Sequence, residues 1–460
     1  MPDAVSLPEH FRKNGYFTAR TGKIFHGSLD DGPSWSEGGE PATGDRPPRT
    51  PQQAAEYRRT SDRWVATEKE DDQPDFKTAS RAIELLEAHK EKPFFIAVGF
   101  NKPHSPLIAP KKYFDLYDAA EIPLPPDFAA RPHALPGAPE IAIPRGAVDL
   151  FIDRDATAAE AREMIRAYYA CVSFVDAQVG RVLAKLDELK LRDRTVIVFW
   201  GDHGYHLGEK GKWSKHGSLY EVATRAPLMI HAPGVSANGH AAPRTVESVD
   251  IYPTLAELCA LPQLAGLEGN SLVPLLKNPA APWSHPAFSV LPKGKTVRTE
   301  RWRYTEWDNG KGSIELYDEQ ADPHELKNLA NEARYAETVT EMKRLLRGDW
   351  KRVQSLPEQK PDAEPQTART SPSEVVREEI EWLNMWLPGN SVKDLPRVLL
   401  IGDSITQGYY QEVADRLKGR AVVARLTTSK SAGDDGLLAE VKLVLAQNRF
   451  DVVHFNNGLH

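Results

Sequence analysis

The sequence predicts an α/β fold in which helices cover both faces of a largely parallel sheet. Residues 94–100 and 196–200 are apolar along nearly their whole length, which is typical of strands that are buried on both faces. Each of these runs follows a stretch in which apolar residues recur at helical spacing. Helix and strand therefore alternate along the chain, as a helix-flanked sheet requires.

Further elements extend this sheet. Residues 79–90 have helical spacing, and Thr157 with Glu160 forms a capping box at the start of a second, much longer helix. A strand is predicted at residues 227–231 and a helix at about 250–261. The two helix and strand units and these later elements belong to one α/β layer structure.

Composition changes along the chain predict its division into domains. Residues 118–150 are so rich in proline that we interpret them as an ordered lid rather than as regular structure. Aromatic and threonine-rich pieces at about 285–320 predict a small antiparallel sheet in a C-terminal subdomain. We expect one domain over residues 1–350, a linker over 351–396 and a second domain over 397–460. The second domain is expected to be partial, because a segment as short as 397–460 cannot complete a hydrophobic core of its own.

Charge and hydropathy exclude some classes of partner. The chain has 460 residues, a net charge of -7 and a pI near 6.1, which argues against nucleic acid as the main partner. No stretch approaches the roughly 18 apolar residues of a membrane span, and no export signal begins the sequence, so we expect a soluble chain. Cys171 and Cys259 are too few for a disulfide framework, and both are expected in the core.

Polar residues follow two of the predicted buried strands. Residues 101–104 read Asn-Lys-Pro-His, and Gly201 is followed by Asp202 and His203. Ligands bind beyond the carboxyl ends of strands in such sheets, so these residues are candidates for a divalent cation or an anionic group. The alternative is an ordinary turn with a histidine that is satisfied by its neighbours.

Two basic segments are candidates for an anion site. Residues 208–216 contain three lysines and a histidine, in a chain that is acidic overall. Lys23 and His26 are three residues apart and could converge on one anion if the backbone turns between them. The alternative for the first segment is a solvated basic loop.

Taken in order, these segments resemble the sulfatases, and in particular the iduronate-2-sulfatase branch. The similar text is GKIFH, FFIAVGFNKPH, VIVFWGDHGYHLGEKGKWSKHG, ATRAPLMIHAPG, DIYPTLAELCAL and ELYDEQADPHELKNLA, spread over roughly residues 5–350. The resemblance implies an alkaline-phosphatase-like α/β sandwich and the hydrolysis of sulfate esters on sulfated saccharides. Members of that family are typically periplasmic, secreted or lysosomal, and the compartment of this chain is not predicted.

The resemblance also implies a role for each candidate residue. In that family a sulfate ester is attacked by the hydrated aldehyde of a formylglycine, beside a calcium ion. Asp202 and His203 resemble the pair at the calcium site, where His203 could instead orient the nucleophile or a sulfate oxygen. Lys23 and His26 resemble the pair that contacts the nucleophile, and Lys215 resembles the lysine that contacts the sulfate group. His104 resembles the residue at the leaving oxygen. Lysines offset charge on the transferred group, and a histidine can protonate the departing alkoxide.

Part of the family pattern is missing from this sequence. Neither Cys171 nor Cys259 stands in the Cys-x-Pro-Ser-Arg context from which formylglycine is made, and the resemblance begins after the family's first strand with its two acidic metal ligands. We therefore expect no sulfate ester hydrolysis by this polypeptide alone. A related phosphatase is an alternative, against which the text around Lys215 argues.

The end of the chain resembles a different family. Residues 398–408, VLLIGDSITQG, look like the first block of the SGNH (GDSL) hydrolases, in which the serine is the acyl-transfer nucleophile. Ser404 would be that residue, with an asparagine near Asn456 or Asn457 in the oxyanion hole. The alternative functions are thus a carboxylester or acetyl esterase acting through Ser404, and a catalytically inactive saccharide-binding fragment.

Overall fold

A computed structural model gives the arrangement of most of the chain in two compact units, residues 1–358 and 359–460. The structure describes residues 4–26, 31–37, 64–145, 149–151, 154–235, 237, 239–354, 383–386, 395–402, 410, 413–418, 420–428, 441–442, 444–446 and 449–456. Each unit is described by itself.

The elements follow one another as the sequence predicts for an α/β chain. The helices are α1 Leu7–Lys13, α2 Pro74–His89, α3 Lys111–Phe114, α4 Ala158–Glu188, α5 Glu221–Thr224, α6 Ile251–Leu258, α7 Val273–Lys277 and α8 Ala336–Gln354. The strands of the first unit are β1 Phe17–Gly22, β2 Trp64–Thr67, β3 Phe94–Gly99, β4 Leu107–Pro110, β5 Ile197–Trp200, β6 Leu228–His231, β7 Ala287–Leu291, β8 Gly294–Arg298, β9 Trp302–Trp307 and β10 Ser313–Asp318. The strands of the second unit are β11 Leu383–Trp386, β12 Arg397–Gly402, β13 Val422–Thr428 and β14 Val452–Asn456.

Short pairs of strands form the centre of the first unit. β1 pairs with β3 in parallel, so that Gly22 lies beside Gly99, and β2 pairs in parallel with β4. β5 and β6 are antiparallel, and the prediction that both extend a parallel sheet was wrong on this point. An apolar run reports burial but carries no information about strand direction.

Helices pack on both sides of these strands, which confirms the predicted layers. On one side Ile96 of β3 and Ile197 of β5 pack against Leu86 and Leu186, from α2 and α4. On the other side Phe95, Val198 and Leu228 pack against residues of α1 and α6, among them Phe11 and Leu255.

The central strands are less buried than the sequence predicts. All six residues of β3 are half-buried, and the exposed fractions of Trp200 and Met229 are 52% and 59%. Among the described residues β3 and β5 each pair with one strand, whereas full burial of such a run needs a neighbour on either side as well as a helix layer on each face.

The longest helix begins where its sequence signal predicts. The Thr157 side chain accepts a hydrogen bond from the Glu160 backbone N–H, and the Glu160 carboxylate accepts one from the Thr157 N–H, as in a capping box. One face of α4 then contributes Met164, Ile165 and Phe174 to the largest hydrophobic cluster among the described residues.

The described residues of the proline-rich segment contain only two short 3-10 helices, Ala119–Glu121 and Glu140–Ala142, so regular structure is almost absent there, as predicted. It packs against residues 208–213: the His133 N–H donates to the Lys210 carbonyl oxygen at 3.1 Å, and the Asp149 N–H donates to that of Trp213 at 3.0 Å. Its role as a lid stays a prediction.

The aromatic and threonine-rich residues at about 285–320 form an antiparallel sheet, as predicted. It has four strands in the order β10-β9-β8-β7. α8 packs on this sheet, where Met342 and Leu346 join Val297 and Tyr304 in a buried cluster. The sheet lies within the first compact unit and does not form a unit of its own.

The second unit contains a four-stranded sheet in the order β11-β13-β12-β14. β12 is parallel to both of its neighbours, and Gly402 at its end lies beside Asn456 of β14. The predicted strands at 397–401 and 452–455 are both present. Ser404 and Asn457 lie outside the described residues.

No helix in the described part of the chain combines the length and the apolar composition that a bilayer crossing requires.

Candidate functional site

The candidate site begins where β1 and β3 end side by side. Gly22 has a φ of +71°, and a Cβ atom there would lie 2.0 Å from the Gly99 carbonyl oxygen. A Cβ atom on Gly99 would lie 1.9 Å from the Lys23 carbonyl oxygen. Only glycine permits this approach, which brings Lys23 to the sheet edge from which residues 101–104 also leave.

A buried carboxylate fixes the loop that carries His104. Asp75, in the first turn of α2, accepts hydrogen bonds from the backbone N–H groups of Asn101 and Lys102 at 2.8 and 2.9 Å. The Lys102 ammonium then closes the loop by donating to the carbonyl oxygens of His104 and Pro106. Burial raises the pKa of Asp75, and the two backbone hydrogen bonds oppose that rise.

His104 presents one ring nitrogen as an acceptor. Its Nδ1 lies 2.7 Å from the Ser105 carbonyl oxygen, which can only accept, so Nδ1 carries the proton of the neutral ring. Loss of hydration lowers the pKa of His104; the positive charge of Lys215 adds to this effect and the negative charge of Asp149 opposes it. Lys215 and Asp149 are therefore electrostatic neighbours of His104.

The second loop begins after β5 with Asp202 and His203. His203 Nδ1 lies 2.7 Å from the Gly204 carbonyl oxygen, which assigns the proton of the neutral ring to Nδ1. Its Nε2 lies 3.6 Å from the Asp202 carboxylate. The exposed fraction of the Asp202 side chain is 70%, so this carboxylate is accessible from solvent.

The same loop continues into Lys215 and His216. Loss of hydration lowers the pKa of His216, Asp149 raises it, and Lys215, Lys212 and His203 lower it further. His104, Asp149, His203, Lys215 and His216 thus come from three separate segments and influence one another electrostatically. We call these five residues the strand-end cluster.

Two of the three lysines of the basic loop do not belong to an open anion site, which corrects the prediction for residues 208–216. Lys210 is 1% exposed, pairs with Asp127 at 3.1 Å and donates to the His324 carbonyl oxygen at 2.9 Å. Lys212 is fully buried, and loss of hydration lowers its pKa to about 8. Lys215 alone of the three is partly exposed.

Lys23 and His26 follow β1 at the same edge of the sheet, where Lys23 is half-buried and His26 is exposed. Their convergence on one anion stays a prediction.

The described residues do not complete a metal site. They contain no group of three or more histidine, cysteine, aspartate or glutamate side chains that could hold an ion together. Asp202 and His203 supply one carboxylate and one imidazole, whereas calcium takes six to eight oxygen ligands. The present residues therefore do not fit a calcium ion by themselves.

Cys171 lies in the core, as predicted, whereas Cys259 is only partly buried at the edge of another hydrophobic cluster. Cys171 is fully buried in α4 among Met164, Phe174 and other apolar residues, and burial raises the pKa of its thiol to about 12. Cys259 packs beside Leu255, and burial raises the pKa of its thiol as well. A protonated, enclosed thiol is a poor nucleophile.

Sequence reasoning missed Asp75 and Asp149. Asp75 lies in the first turn of a helix, where aspartate is common. An aspartate at this position therefore does not indicate a contact with a distant part of the chain. Asp149 ends a proline-rich segment without any periodic pattern.

Comparisons with known proteins show which family the chain is similar to. The profile of the family described as "Sulfatase" matches residues 1–260, and that described as "N-sulphoglucosamine sulphohydrolase, C-terminal" matches residues 208–351. A sulfatase of Formosa agariphila is 34% identical over 359 residues, which cover 75% of this chain and 69% of that protein. The iduronate 2-sulfatase of Mus musculus is 34% identical over 316 residues, 56% of this chain and 54% of that protein.

Known structures share the fold. The phosphonate monoester hydrolase of Silicibacter pomeroyi superimposes with a TM-score of 0.62 at 22% identity, over 76% of this chain and 81% of that one. The chain spans about half the length of the iduronate 2-sulfatase that it matches.

Proposed function

The chain belongs to the sulfatase family, with its alkaline-phosphatase-like fold, and we propose that the strand-end cluster binds the sulfate group of a sulfate ester whose hydrolysis is the activity of the whole protein. The observation that carries this proposal is that the positive charge of Lys215 acts on the pKa of His104, although the two residues belong to loops that leave different strands. A lysine and a histidine that can donate a proton from Nε2 together suit an anionic group with a leaving oxygen.

Each residue would act on a defined atom of the ester. The ammonium group of Lys215 offsets negative charge that develops on the sulfate oxygens as the S–O bond to the alcohol breaks. In its protonated form His104 donates from Nε2 to the departing alkoxide oxygen, which takes the electron pair of the broken bond. Lys23 and His26 would support the nucleophile from the edge of β1.

The proposed substrate class is sulfated saccharides. The resemblance to iduronate 2-sulfatase over 316 residues supports a sulfated uronic acid within that class. This part of the proposal rests on similarity, since the sugar-binding residues of a relative do not transfer with the fold.

Sulfatases generally bind a divalent metal, and we place the cation, expected to be calcium, at Asp202 with His203 beside it. Calcium takes six to eight oxygen ligands, so this pair would supply only part of the ligand set.

A binding measurement with the whole chain tests the proposal. Inorganic sulfate and a glucose monosulfate are titrated by calorimetry into the chain and into K215A. We expect K215A to lose at least about 10-fold in affinity for both ligands, because a charge-assisted contact is lost. K92A is the matched control, since Lys92 is exposed just before β3, at the end of the strand away from the site. Equal affinities in K215A and K92A would contradict the proposal.

A second candidate function, carboxylester hydrolysis through Ser404, is favoured by one feature of the second unit. β12 is central between two parallel neighbours, and its last residue, Gly402, lies beside Asn456, the residue type expected near an oxyanion. Ser404 follows this strand outside the described residues. This function is tested by treating the whole chain with a fluorophosphonate and locating the adduct by mass spectrometry. We expect an adduct on Ser404 that is absent from S404A. An unlabelled Ser404 would exclude this function for the chain.

A further inference from the structure

Five charged side chains meet in an enclosed cluster between α5 and the antiparallel sheet. They are Glu221 of α5, Arg298 of β8, Arg303 of β9, and Glu319 and Glu325, which follow β10. We call them the Arg303 cluster. None of the five side chains is more than 18% exposed. Three carboxylates thus face two guanidinium groups away from water, and the excess negative charge is unfavourable unless a proton neutralises it.

Two carboxylate oxygens of the Arg303 cluster face one N–H group. Arg303 Nε carries a single hydrogen, which it donates to Glu319 Oε1 at 3.1 Å. Glu325 Oε1 lies 2.8 Å from the same nitrogen, but it is buried and accepts no hydrogen bond from the described residues. A protonated Glu325 resolves this conflict, because its O–H becomes a donor to the carboxylate that shares the nitrogen.

The other groups that face Glu325 do not supply the missing donor. Lys210 acts on it electrostatically, but the Lys210 ammonium donates to Asp127 at 3.1 Å and to a backbone carbonyl oxygen. The Tyr220 hydroxyl donates to Glu315 at 2.9 Å. The surroundings of Glu325 therefore suit a neutral carboxyl group better than an ionised one.

The electrostatics of the cluster agree with this geometry. Burial raises the pKa of Glu325 to about 8, and the negative charge of Glu319 adds to the rise, whereas Arg303 and Lys210 oppose it. Burial raises the pKa of Glu319 as well. Glu325 is thus the member of the cluster that is most readily protonated at neutral pH.

The same side chains hold the backbone that continues the basic loop. Arg303 Nη1 donates to the Leu219 carbonyl oxygen at 3.1 Å, and the Glu221 N–H donates to Glu325 Oε2 at 2.7 Å. Glu325 has a φ of +52°, in the left-handed region that is uncommon for a residue with a side chain. Residues 219–221 are therefore bound to the antiparallel sheet through two members of the Arg303 cluster.

We propose that Glu319 and Glu325 hold one proton between them in the folded chain, and that this proton keeps residues 219–221 bound to the antiparallel sheet. With the proton, Glu325 donates from Oε1 to Glu319 and keeps Oε2 for the Glu221 N–H. As the pH rises the proton leaves to water, and the repulsion between two ionised carboxylates displaces Glu325 from the Glu221 N–H. The result is a pH-sensitive contact on the segment that follows the loop of Lys215, and it does not depend on the ligand that the loop binds.

Urea denaturation of the whole chain at pH 7 and pH 9 tests the proton. The folded chain keeps it up to about pH 8, whereas an unperturbed glutamate releases it near pH 4.5, so stability is lost as pH rises through 8. We expect the unfolding equilibrium constant of the parent chain to rise about 10-fold more over this interval than that of E325Q, whose amide donates to Glu319 in place of the proton. E337Q, at an exposed glutamate, is the matched control and should behave as the parent chain does.

E319Q tests whether the proton is shared. This variant leaves two carboxylates with two guanidinium groups, so Glu325 can ionise without a facing charge. We expect E319Q to lose the additional 10-fold rise, as E325Q does. Thermal melting curves establish that each variant is folded.

Hydrogen exchange tests the effect on the backbone. Exchange in the peptide that contains residues 219–221 is measured at pH 7 and pH 9 and corrected for the intrinsic dependence of amide exchange on pH. We expect protection of the Glu221 amide in the parent chain and in E337Q to fall about 10-fold at pH 9, and protection in E325Q to stay constant.

Each outcome decides one part of the inference. The same pH dependence of stability in E325Q and E337Q would overturn the proton, and a rise that persists in E319Q would overturn its sharing. Constant protection of residues 219–221 in the parent chain would overturn the link to the backbone. Infrared spectra of the parent chain need no variant: we expect the carbonyl band of a protonated glutamate at pH 7 and its loss at pH 9, and absence of the band at pH 7 would also overturn the proposal.

Discussion

The Asp75 carboxylate holds the backbone of Lys102 from across the sheet edge, with 2.9 Å between Oδ2 and the Lys102 nitrogen. Its other oxygen holds Asn101 in the same way, so one side chain of α2 fixes the start of the His104 loop. The helix and the loop are 26 residues apart in sequence at this contact.

We expect D75A to lower the free energy of unfolding by about 3 kcal/mol, because two buried backbone donors lose a charged acceptor. Urea denaturation measures this change, and D72A, at an exposed neighbour, should shift it by less than about 0.5 kcal/mol. D75A should also weaken sulfate binding, since His104 loses its support. A D75A variant as stable as D72A would show that the loop does not depend on this contact.

The pKa of His104 depends on the charges of its neighbours. Its pKa lies below the usual 6.5, Lys215 contributes to the lowering, and Asp149 opposes it. We therefore expect K215A to raise the midpoint of the His104 ring resonances in an NMR titration and D149N to lower it. The control K92A should leave the midpoint where it is. Shifts of the same sign in K215A and D149N would contradict the arrangement of the strand-end cluster.

Local patterns in the sequence predicted the elements well. The capping box of Thr157 and Glu160 marked the start of α4, and the apolar run at 94–100 ended within one residue of β3. Both signals depend on neighbours a few residues apart, so they can be recognised without knowledge of the fold.

Burial of charge could not be predicted in the same way. Lys210 looks like a member of a basic loop, but its partners Asp127 and His324 are 83 and 114 residues away. Asp149 likewise joins the strand-end cluster through the path of a proline-rich segment. In each case the chain fold, rather than the adjacent sequence, determines whether a charge is solvated or paired.

A buried arginine connects α5 with the antiparallel sheet. Arg303 is 2% exposed and its guanidinium contacts the carboxylates of Glu221, Glu319 and Glu325. We expect R303M to lower the free energy of unfolding by about 3 to 5 kcal/mol, because three carboxylates lose the only cation that contacts them all among the described residues. Chemical denaturation at pH 9, above the raised pKa of Glu325, provides the measurement.

The double variant R303M/E325Q provides the control for this charge effect. Burial raises the pKa of Glu325 to about 8, so this carboxyl is the one most readily replaced by a neutral amide. We expect the double variant to recover part of the stability that R303M loses. No recovery would mean that the loss in R303M comes from the missing side-chain volume instead of from the uncompensated charge.

His206 should make the protein sensitive to acid. It is fully buried, with Nδ1 directed at the Glu209 carbonyl oxygen and Nε2 2.8 Å from Ser218 Oγ, and burial lowers its pKa to about 3. Below pH 6.5 the unfolded chain binds a proton that the folded chain excludes, so stability falls as pH decreases from 6.5 towards 3. We expect a loss of about 4 kcal/mol from this residue over the window.

Denaturation curves between pH 7 and pH 4 measure this slope in the parent chain, in H206Q and in H240Q. H206Q should be less stable at pH 7, because a packed ring is lost, but its stability should vary less with pH than that of the parent chain. H240Q, at an exposed histidine, should retain the full slope. If H206Q and H240Q show the same slope, another group accounts for the sensitivity.

The two cysteines should play no part in any turnover. The Cys171 thiol is fully enclosed by α4 and its surroundings, with a pKa near 12, and the pKa of Cys259 is raised by burial too. We expect both thiols in the native chain to react slowly with Ellman's reagent and rapidly in urea, because the thiolate is the reactive species. We also expect the chain to bind sulfate esters without hydrolysing them, since the nucleophile of the family derives from a cysteine in a different sequence context. Hydrolysis that survives in the chain and disappears in C171A or C259A, with the fold intact, would contradict this assignment and make that cysteine the nucleophile.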